Sequence, residues 1–400
     1  MKVKKLYLLQ LSATSISPVL GLLLSFPSVF AKSLNPLALS LSLALIFCYF
    51  PLMYDVSHSF FSYIDYTNGY LNEQLHALNV LAYILNEIAG LDYYYMVLLV
   101  SVTSFYLWFK MFLVTVGTES SQKYYVFVFF LFFLSLTYKE SIDLNRTYIA
   151  YMIAVYAMFK YIDKPGFIKP GLVILFGISI YLHASSIVIP LAYILSKYIR
   201  ISKKNAIVVF FVSILLSVTL RFFLQHIVIY IPQSSLLNYM VSETWGISKN
   251  ISVGRALLWS IQAFVVVALY YASNPKSRQF SIFVMLSALF LMFIQFRVFG
   301  ERFFIIVVLM MPLILSNVHR ITKGMCVLLL AMLVKFLSYN FYIFGYIFTE
   351  DFNQVIKYER VRNDIILKPL ILPTTHLLAI DEYGYSDRVI KMYSTRRELQ

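Results

Sequence analysis

Charge is what this chain of 400 residues has least of: Asp, Glu, Lys and Arg make up only 13% of it, while 60% is hydrophobic and 18% aromatic. Soluble proteins carry roughly 25% charged residues, so a set of water-exposed domains is excluded. Cysteine is nearly absent. The two present, Cys48 and Cys326, lie inside apolar runs, which excludes a disulfide framework and a cysteine-based metal site. The apolar runs are continuous rather than alternating, which argues against a barrel and for helices that satisfy their own backbone groups in lipid. There is no phosphate-cradling glycine loop, no HExxH and no GxSxG, so nucleotide hydrolysis, zinc peptidase and serine hydrolase chemistry have no motif to stand on. The acids are dispersed and a hard cation wants converging oxygens, so neither a metal nor a cofactor is expected.

What is present is a succession of apolar segments: 6–30, 34–54, 93–116, 124–138, 148–162, 171–196, 205–231, 255–273, 280–297, 303–317 and 324–348. A helix needs about 20 residues to cross a ~30 Å hydrocarbon layer. The reading is an all-α polytopic integral membrane protein with about 11 apolar helical segments, two of them carrying interior prolines, Pro18 and Pro190. With no fixed-period repeat and no low-complexity linker, 1–350 reads as one membrane domain and 351–400 as an extramembrane tail. MKVKK and the long run Leu6 to Phe30 read as a first span rather than a cleaved signal. The net charge of +14 is expected from Lys and Arg held in cytoplasmic loops and needs no nucleic acid as partner.

Charge also constrains topology. Simple alternation from a Lys-rich cytoplasmic N-terminus would place 55–92, with five acids and no Lys or Arg, inside, and the Lys-rich 160–169 outside. Both conflicts disappear if 6–54 crosses a net odd number of times and 171–196 is broken or re-entrant, entering and leaving by one face with His183 near its bend. A single tilted span is the alternative. The acidic loop also carries NEQLHALNVLAYILNEIAGL, whose leucines fall near helical spacing and read as an amphipathic helix.

Ionisable groups in or beside spans cost several kcal/mol by some estimates, so each is paired, solvated or functional. Asp55 and His58 stand one turn apart if the preceding helix continues, as an acid orienting an imidazole or as a solvated terminus. Arg146 suits bidentate binding of phosphate, or pairs with Asp143 or Glu140. His183, in IYLHASS, is a candidate base or a hydrogen-bonded core residue. In FRVFGERFF, Arg297 and Glu301 can neutralise one another, leaving Arg302 in excess, with Gly300 breaking the two spans apart. Arg255 and Arg221 read more weakly, as interface groups. Arginines gathered with histidines make a coherent site for a pyrophosphate attached to a lipid, held without a metal.

Three stretches carry a resemblance. YDVSHSFFSY from Tyr54, NRTYIAYMIAVYAMFKYI from Asn145 with the following IYLHASSIVIPLAYIL, and FRVFGERFFIIVVLMMPLIL from Phe296 are similar in order and spacing to segments of the EpsG-type and Wzy-like polymerases of bacterial surface polysaccharides. The first departs from the family, with His58 where relatives often carry a further arginine. The resemblance implies a multi-pass enzyme of the bacterial cytoplasmic membrane, a glycosyltransferase that joins undecaprenyl-pyrophosphate-linked oligosaccharide repeat units at the outer face. It implies Arg146, Arg297 and Arg302 as pyrophosphate ligands, His183 as base, Asp55 and His58 as orienting groups, and Arg255 and Glu301 as secondary members. Membrane lipid, a chain-length regulator and a flippase are the partners it implies. A flippase, or a ligase acting on the same lipid-linked sugars, remains the alternative.

Overall fold

Helix starts are written into the sequence as capping residues. Asn35 accepts the Leu37 and Ala38 N–H groups at 3.0 and 3.1 Å, with Pro36 behind it. Ser121 and Ser277 accept the N–H groups of Tyr124 and Phe280 in the same way. The computed structural model describes residues 2–49, 59–64, 77–117, 119–137, 140–141, 144–164, 169–226, 253–274, 277–316, 318–348, 368–388 and 390. In order, the helices are α1 (Lys2–Ile16), α2 (Pro18–Phe30), α3 (Pro36–Cys48), α4 (Ala77–Tyr83), α5 (Tyr94–Val116), α6 (Gln122–Ser135), α7 (Asn145–Tyr161), α8 (Pro170–Leu182), α9 (Val188–Leu195) and α10 (Lys203–His226). They continue with α11 (Val253–Ala272), α12 (Arg278–Phe293), α13 (Arg297–Leu309), α14 (Met311–Leu315), α15 (Lys323–Phe348), α16 (Thr374–Leu377) and α17 (Ile380–Tyr383). Among the described residues, five stretches are long and apolar enough to cross a membrane: Tyr94–Val116, Lys203–Leu224, Val253–Ala272, Val298–Leu315 and Lys323–Asn340. The protein is all-α and multi-pass. The apolar segments do not map one to one onto crossings, because two of them fold back.

Residues 1–153, 177–184 and 336–400 make one compact unit, and 154–176 with 185–335 the other. In the first, the segment expected as one span over 6–30 is a helical hairpin. Its corner is Ser17, in extended conformation, with Pro18 opening α2 instead of kinking a longer helix. The Gln10 amide donates to the Leu24 carbonyl at 3.4 Å, a contact only antiparallel helices allow. Gly21 permits the close crossing, since a Cβ there would collide with the Thr14 and Ser42 side chains. The Gln10 side chain also accepts the Asn35 N–H at 2.7 Å, so α3 starts beside the N-terminal half of α1 and alone carries the chain to the opposite end.

That gives the unit two unlike ends. Lys5, Lys32 and Lys123 mark a basic one, where Gln122 donates to the Phe30 carbonyl. Glu87, Asp92, Asp381 and Asp387 mark an acidic one. Between them α5 and α6 are held by an aromatic ladder of Trp108, Phe112, Tyr125, Phe129 and Phe132, with the Trp108 indole donating to the Phe132 carbonyl at 3.0 Å.

The second unit holds the return of the other fold-back. The rings of Phe176 in α8 and Tyr193 in α9 meet edge to face at 5.8 Å, whereas a straight helix would hold them about 25 Å apart. Asp163, before α8, accepts from Gln279 at 3.0 Å, and Ser196, after α9, accepts from the adjacent Arg278 at 2.8 Å. The segment therefore enters and leaves at one end, in keeping with the re-entrant reading of the charges and not with a single tilted span. Pro190 sits buried in the first turn of α9, where it removes no bond of consequence.

Gly300 is not a break. It lies inside α13, where a Cβ would stand 2.9 Å from the Phe293 carbonyl oxygen, so its role is close approach of α13 to the end of α12. The chain turns earlier, over 294–296. Phe211, Leu215, Val218 and Phe222 of α10 are exposed large apolar residues, which suits a helix facing lipid.

Candidate functional site

The first unit carries Arg146 and His183. Arg146 is half-buried in the first turn of α7, beside Asn145, whose amide nitrogen is buried and finds no hydrogen-bond partner among the described residues. Just ahead, Glu140 is only 4% exposed and accepts the Thr137 hydroxyl at 2.7 Å. A carboxylate so placed needs this support, since an isolated buried charge is costly.

His183 occupies the apex between α8 and α9. Its N–H donates to the Ser179 carbonyl at 3.0 Å, ending α8, and the small residues that follow let Ala184–Ile187 wind into a tight 3-10 turn. Ser179 donates to the Ala150 carbonyl at 2.8 Å and so lashes α8 to α7. The His183 imidazole consequently stands edge-on to Tyr151 at 6.2 Å, about one and a half turns along α7 from Arg146.

Arg146 also reaches the acidic end. Burial pushes the Tyr93 phenol up, and the Arg146 guanidinium opposes that shift. The neighbouring Tyr63, whose ring lies 5.5 Å from that of Tyr93, is pushed up to about 12 by burial and then by Glu87 and Asp387. Asp55 and His58 lie outside the described residues.

The second unit carries the other arginines. Arg297 opens α13, with its side chain outside what is described; Glu301 follows one turn later and Arg302 after it. Arg302 is half-buried, and its Nε is fully enclosed with no hydrogen-bond partner among the described residues. A buried guanidinium N–H without an acceptor is unusual and calls for one. Arg255 lies half-buried in the first turn of α11, and Arg221 donates to the Gln295 side chain at 3.1 Å.

Two further features were not among the expected residues. Lys335 is 0% exposed, with Nζ 5.8 Å from the Phe304 ring centroid, about 18 Å along α15 from its first residue. A signal for it existed: it is the one charged residue between Lys323 and Glu350. The second is the C-terminal segment, whose Asp381 and Asp387 reach the start of α5. Nothing local in the sequence announces that pairing.

Helices long and apolar enough to cross a bilayer, with ionisable side chains enclosed among them, define a multi-pass membrane protein. The EpsG family model matches residues 37–359, and the chain belongs to the EpsG family. That membership supports a polymerase-like role in polysaccharide biosynthesis. Neither a curated protein nor a solved structure matches the chain.

Proposed function

We propose that the protein joins undecaprenyl-pyrophosphate-linked oligosaccharide repeat units into a surface polysaccharide at the outer face of the bacterial cytoplasmic membrane. The observation that carries this reading is Arg302, a permanent cation whose enclosed Nε lacks a partner among the described residues, in a chain of the EpsG family. By the bias of Lys and Arg toward the cytoplasm, the basic end faces inward and the acidic end outward.

A sugar hydroxyl of the incoming unit attacks the anomeric carbon of the growing chain. The new glycosidic bond forms as the carbon–oxygen bond to the diphosphate breaks, and undecaprenyl pyrophosphate leaves with the electron pair. His183 takes the hydroxyl proton. Arg146, Arg297 and Arg302 hold the diphosphate and stabilise the charge that develops on it. Glu301, one turn along α13 from Arg297, orients that arginine, Arg255 adds positive potential, and Asp55 and His58 orient the sugar. A flippase that supplies the units and a chain-length regulator are the partners of this chemistry.

The test is polymer length in cells. Arg146→Ala, Arg302→Ala and His183→Ala, at wild-type protein level, should leave single repeat units; normal long chains in all three would end this reading.

A flippase is the second reading. One observation favours it: both α1–α2 and α8–α9 are fold-backs, and paired broken segments are a feature of transporters. Purified protein in vesicles separates the two, because only a polymerase makes new glycosidic bonds.

A further inference from the structure

Tyr93, which precedes α5, has no side-chain oxygen able to cap the helix, yet the first N–H groups of a helix need acceptors. The acceptor comes from the far end of the chain. Asp387 Oδ1 accepts the Tyr93 N–H at 2.9 Å, and the Asp387 N–H donates in return to Asp92 Oδ2 at 3.1 Å. The carboxylate thereby stands at the positive end of the α5 dipole.

The rest of the C-terminal segment is built to hold Asp387 there. Leu377, Ile380, Tyr385 and Ile390 are buried. The Tyr49 hydroxyl donates to the Leu377 carbonyl at 2.7 Å, the Tyr95 hydroxyl donates to Asp381 at 2.8 Å, and the Thr374 hydroxyl donates to the Thr14 carbonyl. Tyr385 packs on Tyr94 with ring centroids 5.2 Å apart. What Asp387 fixes is Tyr93, whose ring is flanked by Phe60 at 5.2 Å and Tyr63 at 5.5 Å, both from the stretch that follows Asp55 and His58. The Tyr63 hydroxyl is buried with no partner among the described residues, and Arg146 acts on the Tyr93 phenol from α7.

We infer that Asp387 is a positioning residue for the lipid-linked diphosphate: the C-terminal segment caps α5 across the length of the chain, and so sets Tyr93 and the surroundings of Arg146 in the geometry that binds the ligand. This rests on the proposed function for the identity of the ligand class, but not on the bond-forming step. The segment is thus a wall of the outer site rather than an appendage.

The experiment measures undecaprenyl pyrophosphate binding to the purified full-length protein in lipid nanodiscs, with polymer formation read separately. Asp387→Ala should weaken binding about tenfold with melting temperature little changed, whereas Asp387→Asn, whose amide oxygen still accepts the Tyr93 N–H, should stay within about threefold of wild type. Wild-type affinity in Asp387→Ala overturns the inference. If that variant does not fold, Tyr49→Phe, which releases Leu377 and leaves the carboxylate intact, should weaken binding by a smaller factor; wild-type affinity there overturns it equally. A wild-type protein that binds the lipid but makes no polymer removes the polymerase reading and leaves this one standing. A wild-type protein that does not bind the lipid removes both.

Discussion

Phe176 and Tyr193 meet edge to face with their centroids 5.8 Å apart, and that contact makes residues 170–195 a fold-back instead of a crossing. Its consequence is measurable in intact cells. Single cysteines at Lys164 and Lys197 should label from the same side of the membrane, the cytoplasmic one; labelling from opposite sides would remove the hairpin.

The return limb of that hairpin is held by one arginine. Arg278 donates from Nε to Ser196 and from a terminal nitrogen to the Tyr193 carbonyl, each at 2.8 Å, while its guanidinium lies 4.1 Å from the Tyr193 ring centroid. Lysine cannot reproduce a planar fork that also stacks. Arg278→Lys should lower stability by about 1–2 kcal/mol, read as a fall in melting temperature in detergent. An unchanged melting temperature would show that the fork contributes nothing.

Close crossing at Gly21 gives a second stability prediction. Gly21→Leu drives a side chain into Thr14 and Ser42 and should destabilise the protein by about 1–3 kcal/mol, whereas Gly177→Ala, where nothing lies within 4 Å, should be tolerated. Equal melting temperatures for the two variants would contradict the hairpin at Ser17.

Lys335 is an amine enclosed in a membrane helix, so its replacement separates packing from polarity. Lys335→Met keeps the length of the stem and removes the amine. Polymer yield should fall about tenfold at unchanged protein level, on the premise that such a group is retained for function. Full yield would make it a structural residue.

Arg302 offers the sharpest test of the diphosphate reading. Arg302→Lys retains the charge but not the two-pronged edge, and should lose most of the activity that Arg302→Ala loses. Recovery of wild-type chain length by lysine would show that charge alone suffices there.

The class of the protein was legible in composition alone, because lipid tolerates only self-satisfied backbone and the chain offers little charge with which to face water. The bend at His183 was legible too, through the misplaced lysines of 160–169 and the small residues that follow the histidine. The hairpin inside 6–30 was not: its run of apolar residues is as long as a span, and only the corner at Ser17 and the fit of Gly21 against Thr14 divide it. Gly300 misled in the opposite sense, since glycine serves helix contact as readily as helix termination.

By itself the sequence determined that the chain is helical, which segments are apolar and how scarce and unevenly placed the charges are, since these follow from local hydrogen bonding and solvation. Only the tertiary structure decided that Asp387 caps α5, that Lys335 is enclosed and that α1 turns back on α2. Those outcomes depend on which distant surfaces meet, and hydrophobic attraction, which has no direction, leaves that choice to shape and to the few polar groups that must find partners.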